Sequence, residues 1–214
     1  MYKRHSKKKK GIRWTLCILP GIVLITVIIV FSLKLSVKLR YDHDDIDLTS
    51  VIDGEHVPLF LQSDIQWGND YYGDDVLSVT GCGPTCLSMV YCYITGDMTM
   101  HPGKMAAWAA KEGFYAEGIG TSWDLMDLGA KKLGLDPYTM PLSEDNIVEA
   151  LSSGHVIICS VGPGDFTTEG HFIVLAGINE NGSIRVNDPN SKQRSKKEWE
   201  IDRIVTQIKQ FWIY

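Results

Sequence analysis

Three residues far apart in this 214-residue chain have the types and settings that thiol chemistry needs. Cys82 stands in Thr80-Gly81-Cys82-Gly83-Pro84-Thr85-Cys86, where glycines and a proline lead into the helical apolar spacing of Leu87, Met89, Val90 and Ile94. The expected helix opens at the cysteine and ends near Thr95-Gly96. The positive end of a helix favours thiolate over thiol, so a cysteine there is suited to be a nucleophile. The same residues would serve equally as a turn before a core helix, so the reading needs a base from elsewhere. His171 begins the apolar run His171–Ile178 directly after the flexible stretch Gly162–Gly170. Asp188 closes the next run, in Val186-Asn187-Asp188-Pro189, where Pro189 ends strand pairing. If the two runs pair across the turn Asn179-Glu180-Asn181-Gly182, His171 and Asp188 share one end of neighbouring strands. A carboxylate on one ring nitrogen fixes the tautomer, and the other nitrogen can then address a thiol. That is the logic of a thiol hydrolase. His155 also begins a strand and is the rival base, ranked second because its hairpin partner offers no carboxylate.

The elements that must carry these residues follow from periodicity and punctuation. After the Cys82 helix, Pro102 starts a second helix through Met105–Ala110, closed by Gly113. A third is expected from about Ser122 to Lys132, capped by Thr121 or Ser122, and a fourth from Ser143 to Ser152, stopped by Gly154. From His155 the texture changes to short β-branched runs: 155–161, 171–178 and 183–186, then a strand around Trp199 and Ile201, a short helix over 203–209 and a last strand over 211–214. Upstream, Val57–Gln62 reads as a short strand. The loop 63–79 carries Trp67, Tyr71 and Tyr72, which form either a groove lining or a local hydrophobic clasp. Helices segregated from an antiparallel sheet define an α+β domain, expected over residues 54–214.

Charge is unevenly placed. Residues 1–40 hold ten of the twenty-one Lys and Arg and no Asp or Glu, leaving eleven basic against twenty-six acidic side chains in residues 41–214, a net of about −15. A surface this acidic argues against nucleic acid as a partner, because phosphates would be repelled. Seven cations in the tail 1–13 precede an uncharged run from Trp14 to Leu33, twenty residues, the length of a membrane-crossing helix. Three cations follow it, so the positive-inside rule leaves the tail cytoplasmic, 14–33 as a transmembrane anchor, and the body outside. A cleaved signal peptide is the alternative; no small-x-small cleavage site follows the run, so an uncleaved anchor is the expectation. Residues 34–53, with Asp42, Asp44, Asp45 and Asp47, read as a linker.

The remaining cysteines do not suggest a metal. Cys82, Cys86, Cys92 and His101 lack the paired two-residue gaps of zinc modules, so no metal or cofactor is expected. Cys86, Cys92 and Cys159 read as small core residues.

Val57-Pro-Leu-Phe-Leu-Gln62, the aromatic loop, Gly81-Cys-Gly-Pro-Thr85, Gly170-His-Phe-Ile-Val-Leu175 and Val186-Asn-Asp-Pro189 together resemble the papain-like peptidases of cysteine peptidase family thirty-nine. The best-known members trim double-glycine leaders from bacteriocin precursors; this chain resembles a stand-alone, membrane-anchored branch. The resemblance implies a papain-like fold, Cys82 as nucleophile, His171 as general base and acid, Asp188 as orienting group and Gln62 as oxyanion donor. It departs from the leader peptidases in placing Gln62 twenty residues before the cysteine, with Gln66 as the other candidate donor. It also has no room for their fused transporter, so the bacteriocin substrate does not transfer. The implied activity is hydrolysis of a peptide or amide bond, in a peptide or cell-wall peptide; a non-hydrolytic cell-surface module that binds peptide or cell wall, or acyl transfer by the same residues, is the alternative.

Overall fold

The computed structural model describes residues 24–30 and 56–214. The chain divides into two units, Met1–Asp45 and Ile46–Tyr214, with the boundary inside the expected linker. Of the expected anchor 14–33, residues 24–30 are described: they are helical, and their apolar side chains are exposed. The rest of that run, the tail 1–13 and the linker 34–53 lie outside the described residues. Among the described residues no helix is long and apolar enough to cross a membrane.

In the second unit the chain first forms a small hairpin of β1 (Tyr71–Tyr72) and β2 (Asp75–Val76), then a one-turn helix α1 (Leu77–Thr80) and the long helix α2 (Cys82–Thr95). Gly96 ends α2 in the left-handed conformation (φ 70°), donating its N–H to the Cys92 carbonyl. Helix α3 (Pro102–Lys111) has the expected proline start, with His101 accepting from the Lys104 N–H at 3.5 Å. A second hairpin, β3 (Tyr115–Ala116) and β4 (Gly120–Thr121), packs on the first: the Tyr115 ring lies so close to Gly73 (φ 69°) that a Cβ there would overlap it. Helices α4 (Leu128–Lys132) and α5 (Glu144–Ser152) follow. Then come the strands β5 (Ile157–Val161), β6 (His171–Ile178) and β7 (Ile184–Asn187), the short helix α6 (Lys192–Ser195), β8 (Glu198–Trp199), α7 (Ile201–Val205) and β9 (Ile208–Ile213).

The five later strands form one antiparallel sheet in the order β8-β7-β6-β5-β9. Alternation along them divides the core in two. Val156, Ile158, Phe172, Val174 and Trp212 join Leu87, Met89 and Val90 of α2, Met105 and Ala106 of α3, and Phe60, Trp67 and Tyr72. Ile157, Cys159, Val161, Ile173 and Leu175 join the second cluster, with Ile147, Ala150 and Leu151 of α5 and Ile204 of α7. The α5 residues stand at the i, i+3, i+4 spacing of one helical face, and each of its two large side chains contributes roughly 1.5–3 kcal/mol by burial. Ser143 caps α5 as expected, its Oγ accepting from the Asn146 N–H at 3.1 Å.

Several expectations are corrected. Residues 57–61 form no strand and join no ladder, and Gln62 stands in a turn. The carbonyls of Val57 and Pro58 instead accept from Asn187 Nδ2 at 3.0 and 3.1 Å. The helix expected over 122–132 breaks into a 3-10 turn, Trp123–Leu125, and α4. The Met126 carbonyl between them accepts from the Tyr214 hydroxyl at 2.6 Å, and Leu125 and Met126 are both fully buried. Near the end, Ile201 starts a helix instead of extending a strand, and the last strand begins at Ile208 instead of Phe211, since Ile208 pairs with Val161 across a bulge. The aromatic loop is a clasp: Trp67 and Tyr72 are buried, Trp67 stacks on His101 and donates Nε1–H to the Leu61 carbonyl at 2.8 Å, while Tyr71 is exposed.

Candidate active site

The loop–helix–sheet arrangement brings the three chemical residues to one place. Cys82 is the first residue of α2, half-buried. Gly83 behind it has no room for a side chain, because Thr121 of β4 lies against its Cα. Across the site, β6 begins at His171 and antiparallel β7 ends at Asn187, so His171 and Asp188 do share one end of the sheet. His171 Nε2 donates to Asp188 Oδ1 at 2.9 Å. Cys82 lies close enough to the same imidazole to raise its affinity for a proton, and with Nε2 committed to Asp188 the ring nitrogen still free to meet a thiol is Nδ1.

Electrostatics match this geometry. Burial disfavours the imidazolium, yet the bonds to Asp188 and Cys82 outweigh it and raise His171 to about 9. Burial likewise works against the Asp188 carboxylate, which is fully buried, but the donors His171 and Arg194 hold it below the usual carboxylate range. Oδ1 also accepts from the Asn190 N–H at 2.8 Å, and Oδ2 accepts from Arg194 Nε. Arg194 is the residue that sequence reasoning passed over as part of a basic loop. The signal available was its place six residues beyond Asp188, between Ser191 and Ser195, which build the turn that presents it.

A stability consequence follows from His171. Its folded-state affinity for a proton is raised above the ordinary 6.5, so its contribution is fully present below about pH 6.5 and is lost as pH rises through about 9. The loss is of order 3 kcal/mol. Calorimetry across that window should find a falling Tm; a Tm that stays level or rises would contradict the contact set around His171.

Gln62 is buried and tied on both sides. Its backbone N–H donates to the Pro189 carbonyl at 2.8 Å, next to Asp188, and its Nε2 donates one hydrogen to the Ser78 carbonyl at 2.9 Å, four residues before Cys82. Nε2 thus keeps a second hydrogen, while Oε1 has no hydrogen-bond partner among the described residues. Gln66, the alternative donor, is exposed in the loop. The loop itself is closed by Ser78 N–H to the Gly68 carbonyl and Leu77 N–H to the Asp70 carbonyl. The twenty-residue separation is therefore a folded-back excursion.

The rival base and the other thiols fall away. His155 sits at the opposite end of the sheet, beyond the Ile157–Leu175 pair, and its Nδ1 is bonded to the Tyr214 carbonyl at 2.9 Å. Cys86, Cys92 and Cys159 are buried; burial pushes the Cys92 thiol up to about 12 and the other two up strongly. Among the described residues no group of His, Cys, Asp and Glu could hold a metal ion.

Residues 55–214 match the family described as Peptidase_C39 like. A crystal structure of a candidate C39-like peptidase from Bacillus anthracis is 18% identical, with TM-score 0.46, covering 77% of this chain and 96% of that one. Comparison with curated proteins finds no match. Well over half of the sequence, including Gln62, Cys82, His171 and Asp188, lies in the matched stretch, and the chain belongs to the Peptidase_C39 like family.

Proposed function

We propose that this protein is a membrane-anchored, extracytoplasmic cysteine peptidase that hydrolyses a peptide bond through Cys82, His171 and Asp188. The observation that carries the reading is the His171 imidazole bonded to the buried Asp188 carboxylate, with the helix-opening Cys82 near enough to raise the ring's affinity for a proton. Cys82 gives its proton to His171 Nδ1, and Sγ bonds to the amide carbonyl carbon while the carbonyl π pair moves to oxygen. The carbon–nitrogen bond then breaks, the His171 proton goes to the leaving nitrogen, and a thioester remains. Water, giving a proton to His171, attacks the thioester; the acid departs and the thiol is restored. Asp188 holds the ring in the tautomer that this traffic needs. Gln62 Nε2 and the Cys82 backbone N–H are the donors assigned to the oxyanion. The anchor rests on the uncharged run 14–33 and the cation excess before it.

One experiment tests both the chemistry and the placement. A membrane-impermeant, biotinylated peptide chloromethyl ketone is added to intact cells carrying the full chain, and the labelled residue is mapped by mass spectrometry. Labelling of Cys82 is expected without lysis. Label gained only after lysis would overturn the extracytoplasmic placement, and absence of Cys82 label in both cases would overturn the peptidase reading.

A further inference from the structure

A thiol, an imidazole and one carboxylate suffice for the chemistry, yet the site has a fourth member. Arg194 donates Nε to Asp188 Oδ2, opposite the oxygen that His171 uses. It is not a loosely held surface arginine. Its N–H is capped by Ser191 Oγ at 3.1 Å, and its carbonyl accepts from Trp199 Nε1 at 3.1 Å. The neighbouring Ser195 hydroxyl accepts from the Asp188 N–H at 2.9 Å, so α6 grips both the backbone and the carboxylate of Asp188. A one-turn helix is unstable alone, which makes these side-chain anchors the reason it sits here.

We propose that Arg194 is a positioning residue of the site, fixing the Asp188 carboxylate and balancing its charge so that His171 both takes up and gives up a proton. The inference rests on the catalytic reading of Cys82, His171 and Asp188. Once the Cys82 proton is on His171, the row reads negative, positive, negative and positive, and sums to zero. Without the guanidinium the same row carries a net negative charge in a buried place. The imidazolium is then held harder by an uncompensated carboxylate, and its proton passes less readily to the leaving nitrogen. The charged and titratable groups involved come from three sides. Asp188 faces His171 from β6 and Arg194 from α6, with Cys86 of α2 farther off; His171 faces Asp188 and Cys82.

The test is a titration of the His171 ring by nitrogen NMR in the full chain in detergent, for the native protein, R194Q and R194K, with circular dichroism to verify the fold. R194Q is expected to raise the His171 midpoint by about one pH unit, the size of a lost charge contact. R194K, which keeps the cation, should hold the midpoint near the native one. A merely structural role for Arg194 would leave the R194Q midpoint where the native protein has it, and that result would overturn the inference. Should R194Q not fold, R194M, which keeps much of the stem's length, is read in its place by the same criterion. Iodoacetamide labelling of Cys82 in the same samples separates the two ideas. An unmoved midpoint with selective Cys82 labelling sinks the role of Arg194 and leaves the peptidase standing. A moved midpoint with no labelling does the reverse.

Discussion

Replacing His171 by alanine is expected to lower peptide turnover by roughly four orders of magnitude or more, the scale seen when the base of such a unit is removed. The variant loses the acceptor for the thiol proton and the donor to the leaving nitrogen together. The carboxylate behind it stays compensated, because Arg194 and the Asn190 N–H remain on Asp188. Turnover is therefore expected to fall much further than stability. The readout that needs no known substrate is iodoacetamide alkylation of Cys82 at mildly acidic pH, which should slow towards the rate of a free cysteine. Cys86, Cys92 and Cys159 are internal references, since all three are buried. Native protein in which the four thiols alkylate at comparable rates would return Cys82 to a turn before a core helix.

Gln62→Ala should lower turnover about a hundredfold, corresponding to roughly 3 kcal/mol of lost stabilisation of the oxyanion. Gln62 is tied to the segments that carry the other proposed site residues, its backbone N–H to Pro189 beside Asp188 and its Nε2 to Ser78 just ahead of Cys82. An amide is neutral and cannot intercept the proton meant for His171, so alkylation of Cys82 should be nearly unaffected. The loss should appear in kcat. Losing the bond to the carbonyl of half-buried Ser78 adds about 0.5–1.5 kcal/mol of destabilisation, which thermal unfolding will register separately. Full turnover in Gln62→Ala together with a large loss in Gln66→Ala would move the oxyanion role to Gln66.

Much of this site was legible from the sequence, for identifiable reasons. Cys82 is announced by glycine and proline at a helix start, and the meeting of His171 with Asp188 follows from one strong hairpin turn, because a short turn fixes which strand ends are neighbours. The elements read correctly were those with local signals: Pro102 at the start of α3, Ser143 at the start of α5, Gly96 after α2. What was missed depends on distant partners. The carbonyl that breaks the 122–132 helix is claimed by Tyr214, eighty-eight residues away. The 57–62 segment looks like a strand by composition, but the carbonyls of Val57 and Pro58 are taken by the side chain of Asn187 and that of Leu61 by Trp67. Arg194 was hidden because a lysine- and arginine-rich loop reads as solvated surface, and only the folded chain reveals a buried carboxylate beside it.

The sheet order has a consequence for how the protein comes into being. The last strand in the chain, β9, forms an edge of the sheet against β5, and β5 in turn supports the central strand that begins at His171. Threads as long as 130 residues separate the partners that hold the 57–62 strap against Asn187. Contacts of such reach form late and slowly, since loop closure must be met before any of them is rewarded. On a ribosome Cys82 emerges first, ahead of His171, Asp188 and the edge strand β9. On the proposed roles a nascent chain is thus a bare thiol without catalytic power, and the site is assembled only when nearly the whole domain has been delivered and closed.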